Sequence, residues 1–160
     1  MTMIISTLIL VFSSALLIFY MQSVGERILG REFDREYFRS IVAANRLEFP
    51  FVKEAVEQFD VPGDYTRFRM MLRCDFLALT YLLKHTANRR HRYSLEDRVL
   101  IWNYKLISFL MSVRRALGRE EKPAMIQLTR ILQYFANVLG KRVSDAGAGS
   151  LFGPDYLLGL

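Results

Sequence analysis

Cys74 and His85 are the thiol and imidazole best suited to nucleophilic chemistry, and a working pair needs them within hydrogen-bonding reach. Their spacing of eleven positions puts them on one helical face but ~16 Å apart along the axis at ~1.5 Å per residue, which rules out a dyad inside one unbroken helix. His91, the other histidine, lies in the run Arg89-Arg90-His91-Arg92, where neighbouring guanidinium groups repel a cation. Neither histidine belongs to a metal-ligand spacing, so no metal or other cofactor is expected.

The paired carboxylates Glu96-Asp97 and Glu120-Glu121 stand beside predicted helix starts, where negative charge interacts favourably with the helix dipole. Capping therefore accounts for them better than general acid or base work. Gly147-Ala148-Gly149 shares two glycines with a dinucleotide fingerprint, but the third is misplaced and no strand or helix frames the run. It reads as a linker. With no catalytic motif left, the chain is expected not to be an enzyme.

Charge supplies the most distinctive polar feature. The net charge is +6, and Lys84, Arg89, Arg90, His91 and Arg92 form one basic group, with Arg114, Arg115 and Arg119 forming another. Antiparallel helices would put the two groups at opposite ends of a bundle. Arg89, Arg90 and Arg92 are the candidate contacts for an anionic ligand or lipid headgroup, with a solvated loop as the alternative. Nucleic acid is disfavoured because Glu96, Asp97, Glu120 and Glu121 interrupt both groups, and Phe68, Phe76, Tyr81, Trp102, Phe109 and Phe135 follow core spacing instead of forming stacking platforms.

These residues must be held by something, and the front of the chain shows what. All 22 Lys and Arg and all 16 Asp and Glu lie behind Gly25. Residues 3–21 read MIISTLILVFSSALLIFYM, nineteen positions whose only polar members besides Tyr20 are Ser and Thr. As a helix, residues 3–24 span about 33 Å, close to the ~30 Å hydrocarbon thickness, so a membrane anchor is predicted. Tyr20 sits where an interfacial aromatic belongs. The rival reading is a cleaved signal peptide, since Ser23-Val24-Gly25 has the small-x-small shape of a cleavage site. Against it, no Lys or Arg precedes the run, and the run exceeds the roughly 7 to 15 residues of a signal core.

Arg27, Arg31, Arg35 and Arg39 follow the span closely, which predicts the N-terminus outside and the following domain cytoplasmic. Ser6 and Ser13, seven positions apart, mark a helix edge where a partner transmembrane helix could approach.

Behind the anchor the pattern is helical throughout. Phe33, Tyr37, Phe38 and Ile41 predict a helix over residues 32–45; Pro50 interrupts the chain before a short helix over 51–59. Val61-Pro62-Gly63-Asp64 is a turn, with Asp64 able to cap a helix over 65–88 whose apolar body includes Phe68, Leu72, Phe76, Leu79 and Leu83. Ser94-Leu95-Glu96-Asp97 resembles a capping box opening a helix that runs to about Leu117. That helix is expected to be central: Val99, Trp102, Leu106, Phe109 and Val113 line one side, and Ile101, Tyr104, Ile107 and Met111 widen it. Gly118 stops it, and Pro123 suits the first turn of a last helix with Leu128, Ile131, Leu132, Phe135 and Leu139 inward and Arg130, Gln133, Asn137 and Lys141 outward.

The expected architecture is all-α: a transmembrane anchor over residues 1–25, a four- to five-helix bundle over 26–143, and a glycine-rich tail over 144–160. Phe152, Tyr156, Leu157 and Leu158 in that tail are candidates for docking on the bundle or on a partner. Cys74 cannot form an internal disulfide, as it is the one cysteine. Anchor, packed module and apolar tail predict an accessory subunit, scaffold or adaptor of a membrane complex; the alternative is a membrane-anchored regulatory module that binds an anionic ligand, lipid headgroup or nucleic acid through Arg89, Arg90 and Arg92. Its expected partners are membrane lipid and another protein or a second copy of the chain.

Overall fold

A computed structural model of the chain describes residues 2–30, 37–58, 65–86 and 94–145. Six helices account for nearly all of them: α1 (Thr2–Leu29), α2 (Phe38–Asn45), α3 (Phe49–Gln58), α4 (Tyr65–Thr86), α5 (Leu95–Ala116) and α6 (Lys122–Asp145). No strand occurs among the described residues. One helix, α1, is long and apolar enough to cross a membrane.

Within α1 two of the hydroxyls are satisfied by the helix itself. Thr7 Oγ1 donates to the Met3 carbonyl and Ser14 Oγ to the Leu10 carbonyl, each across 2.8 Å, so neither polar group is left bare in apolar surroundings. The helix runs unbroken past the first charges, Glu26 and Arg27, to Leu29.

Local signals explain most of the other ends. Arg46 takes a left-handed conformation (φ 50°, ψ 44°) and closes α2, with the Leu47 amide returning to the Val42 carbonyl across 3.2 Å. The expected capping box forms at the start of α5: the Ser94 amide donates to Asp97 Oδ2 across 3.1 Å, and Ser94 Oγ accepts from the Glu96 amide across 3.4 Å. At its far end Gly118 (φ 64°) lets the Arg119 amide reach the Arg114 carbonyl, 2.9 Å, and its own amide reach that of Arg115, 3.1 Å. This is the paired arrangement that satisfies the last carbonyls of a helix. Pro50 does not interrupt the chain as expected; it falls in the first turn of α3, where its missing N–H is no loss.

The centre of the bundle is α6, which contacts every other helix. Met125, Leu128, Ile131, Leu132, Phe135 and Leu139 are buried along it. Asn137, expected outward, is buried and accepts the Phe38 amide across 2.9 Å, which caps the start of α2. Gly140 lies against Tyr37, whose carbonyl oxygen would be 2.9 Å from an added Cβ, so α2 packs closely onto α6 there.

The expectation that α5 is central is corrected. Its buried residues are Asp97, Leu100, Asn103, Tyr104, Ile107 and Met111, whereas Trp102, Phe109 and Val113 are exposed. Both sides of α5 are apolar, and the inward one carries the polar groups that find partners: the Tyr104 hydroxyl reaches the Leu72 carbonyl across 2.8 Å, and Asp97 reaches Arg142.

Candidate membrane-coupling surface

The part of α1 that meets the bundle starts inside the apolar run. Ile18, Met21, Gln22 and Val24 are partly covered, and Gly25 and Ile28 are buried, a three- and four-residue spacing that defines one helix face. That face packs on α5 and α6. Its tightest point is Gly25, where an added Cβ would lie 2.2 Å from Asn103 Nδ2. Any side chain at this position would require Asn103 to move. Lower down, Gln127 Nε2 donates to Glu26 Oε1 across 3.5 Å, a contact from α6.

Two polar links and one ring stack join helices of the bundle beside this junction. Asp97 Oδ2, nearly inaccessible, takes Arg142 Nη2 across 2.6 Å besides the Ser94 amide, tying the start of α5 to the end of α6. Asp75 on α4 is buried, and its Oδ2 accepts the amides of Glu48 (2.8 Å) and Phe49 (2.6 Å), capping α3 from a neighbouring helix. Burial pushes the Asp75 carboxyl above its ordinary value, opposed by those two amides. Tyr104 stacks on Phe76 with centroids 3.9 Å apart and planes 2° from parallel, and burial raises its phenol as well.

What the bundle leaves uncovered is apolar on two helices. On α5, Leu95, Trp102, Phe109 and Val113 are exposed, Trp102 at 68% and Phe109 at 65%. On α4, Met70, Leu77 and Tyr81 are exposed at four- and seven-residue spacing, and exposed Cys74 falls on the same face.

The sequence-derived site residues fare unevenly. Ser6 and Ser13 lie exposed on α1. Arg89, Arg90 and Arg92, with His91, lie outside the described residues, as do Asp64, the linker glycines and the tail residues Phe152, Tyr156, Leu157 and Leu158. Cys74 and His85 sit on one unbroken α4, and the His85 ring lies against Tyr81 with centroids 4.0 Å apart and planes tilted by 30°, so no dyad forms between them. Glu96 Oε2 accepts the Tyr134 hydroxyl across 3.3 Å, Asp97 completes the capping box of α5, and Glu121, just before α6, is buried with Arg115 Nε 4.0 Å away. Arg115 also donates to Thr66 Oγ1 across 3.0 Å. Among the described residues no group of three His, Cys, Asp or Glu could hold a metal ion.

Sequence reasoning missed Asp75, Asn103 and the junction at Gly25. A single acid inside the apolar body of α4 was the available signal for the first. Comparison with protein-family models, with curated proteins and with solved structures finds no significant match to this chain.

Proposed function

We propose that the chain is a non-enzymatic, single-pass membrane protein that serves as an accessory subunit or adaptor of a larger membrane complex. The observation that carries this reading is the exposed apolar face of α4, formed by Met70, Leu77 and Tyr81 on a helix whose opposite side is already packed in the bundle. Large apolar side chains aligned on one face of a well-packed domain mark a surface that another molecule covers. The junction of α1 with α5 and α6 supports a rigid presentation of that face relative to the bilayer.

The arginines that follow α1 support a cytoplasmic bundle with the N-terminus outside. Ser6 and Ser13 on α1 give the same partner, or a second copy, a line of small residues to pack against.

Cys74 is the one cysteine and lies on the α4 face, so it accepts a thiol-directed photocrosslinker without mutagenesis. Irradiation in intact membranes should give one discrete protein adduct of fixed stoichiometry, which also survives gentle solubilisation and is lost in Leu77→Glu. A chain that runs as a lone monomer at every detergent level, with no protein adduct at Cys74, overturns the proposal.

A further inference from the structure

Asn103 meets Gly25, and Trp102 is its neighbour on α5. Gly25 lies four residues beyond Met21, the end of the apolar run, or about 6 Å along the axis at ~1.5 Å per residue. Adjacent Cα atoms are ~3.8 Å apart, so the Trp102 backbone stands on the order of 10 Å from the hydrocarbon edge in a chain whose α1 crosses the bilayer. The headgroup layer on each side is ~5 to 8 Å thick, the difference between a ~30 Å core and a ~40 to 45 Å bilayer. The Trp102 backbone is thus close enough to the headgroup layer for its side chain to reach it.

Its direction follows from the helix wheel. At ~100° per residue, Trp102 points about a quarter turn away from Asn103, with half-buried Val99, Leu106 and Leu110 between the two directions. Leu95, Phe109 and Val113 share the outward direction with Trp102, so an apolar stripe runs along α5 beside the edge that meets α1. Exposed Arg98 and Lys105 border this stripe on the side away from α1. The two acids of α5, Glu96 and Asp97, are half-buried and buried.

We propose that the outer face of α5 around Trp102 contacts the headgroup layer of the leaflet at which α1 leaves the bilayer, making α5 a second membrane-contacting element. An indole with an apolar body and a polar N–H is suited to that layer, and the bordering cations match anionic headgroups while their stems lie along apolar surface. A protein partner would equally cover the apolar stripe, but the depth set by Gly25 and the bordering cations favour lipid. The inference depends on α1 spanning the bilayer and is independent of a partner on α4.

Trp102 is the one tryptophan, so the unmodified full chain reports on its own face. Reconstituted in vesicles of phosphatidylcholine and phosphatidylglycerol, its emission should fall at least twofold when the lipids carry bromine near the headgroup end of the acyl chains. It should also resist aqueous acrylamide. In Arg98→Glu/Lys105→Glu the bromolipid quenching should weaken, more in anionic than in neutral vesicles. Strong acrylamide quenching without bromolipid quenching overturns the proposal by exposing Trp102 to water. Protection from both quenchers also overturns it, because protein then covers the face. Alkaline carbonate extraction tests the anchor separately: a retained chain with Trp102 in water refutes only the α5 assignment, and a released chain refutes the anchor and this inference together.

Discussion

Gly25 lies against Asn103 so closely that a methyl group at residue 25 would fall 2.2 Å from the Asn103 amide nitrogen. The clash is with the end of a side chain, so the neighbour can swing aside at the cost of repacking a buried group. Gly25→Ala should destabilise the solubilised protein by about 1 to 3 kcal/mol, the usual range for overpacking. Asn103→Ala in the same chain should recover most of that loss, since it removes the clash and a buried carbonyl oxygen that has no partner among the described residues. Thermal unfolding of the two single variants and the double variant measures the coupling, and simple additivity would disprove the contact.

Asp97 and Arg142 join the two ends of α5 and α6 in a pair whose carboxylate side is 2% exposed and whose guanidinium side is 25% exposed. Asp97→Ala should cost about 3 kcal/mol, because it leaves Arg142 without its counter-charge and uncaps α5. Asp97→Asn should cost less, as its carbonyl still accepts the Ser94 amide. Denaturant unfolding of both variants checks the order; equal losses would show that the cap contributes nothing beyond the charge pair.

The Asp75 carboxyl is raised above its ordinary value of 3.8, mainly by burial, so the folded state holds that proton more tightly than the unfolded chain does. The resulting stabilisation is fully present below the unfolded value and is lost as pH rises through the folded one. Stability of the native chain should therefore contain a component that falls on going from about pH 3.5 into the mildly acidic range. Asp75→Asn, which cannot ionise, should lack that component. Unfolding curves across this range measure it, and superimposable slopes for the two proteins would refute the assignment.

The Tyr104 hydroxyl donates to the Leu72 carbonyl across 2.8 Å while its ring stacks on Phe76. Tyr104→Phe keeps the stack and should cost about 1 kcal/mol, the net worth of one hydrogen bond. Tyr104→Ala removes both and should cost about 4 kcal/mol. Equal losses in the two variants, read by thermal unfolding, would mean that the stack contributes nothing.

The coupling surface was legible only in part. Nineteen residues without charge announced α1, but nothing in them says which side meets a bundle. Gly25 reads locally as a small residue near a possible cleavage point, and its role depends on Asn103, far along the chain. Trp102 and Phe109 were expected inside because their spacing is that of a core, and they are exposed because the opposite side of α5 packs instead. Asn137 looks like an outward amide until α2 arrives with an uncapped amide at Phe38.

Interactions within four or so residues were decided by sequence alone. The length of α1, the capping box at Ser94, the stop at Gly118 and the all-helical character each depend on neighbours along the same turn of chain. Tertiary structure decided which helix is central and which side of α5 faces in. Apolar residues surround much of α5, so its periodicity admits more than one buried face. The choice among them was made by distant partners, α6 for Asp97, α4 for Tyr104 and α1 for Asn103, whose approach no local pattern records.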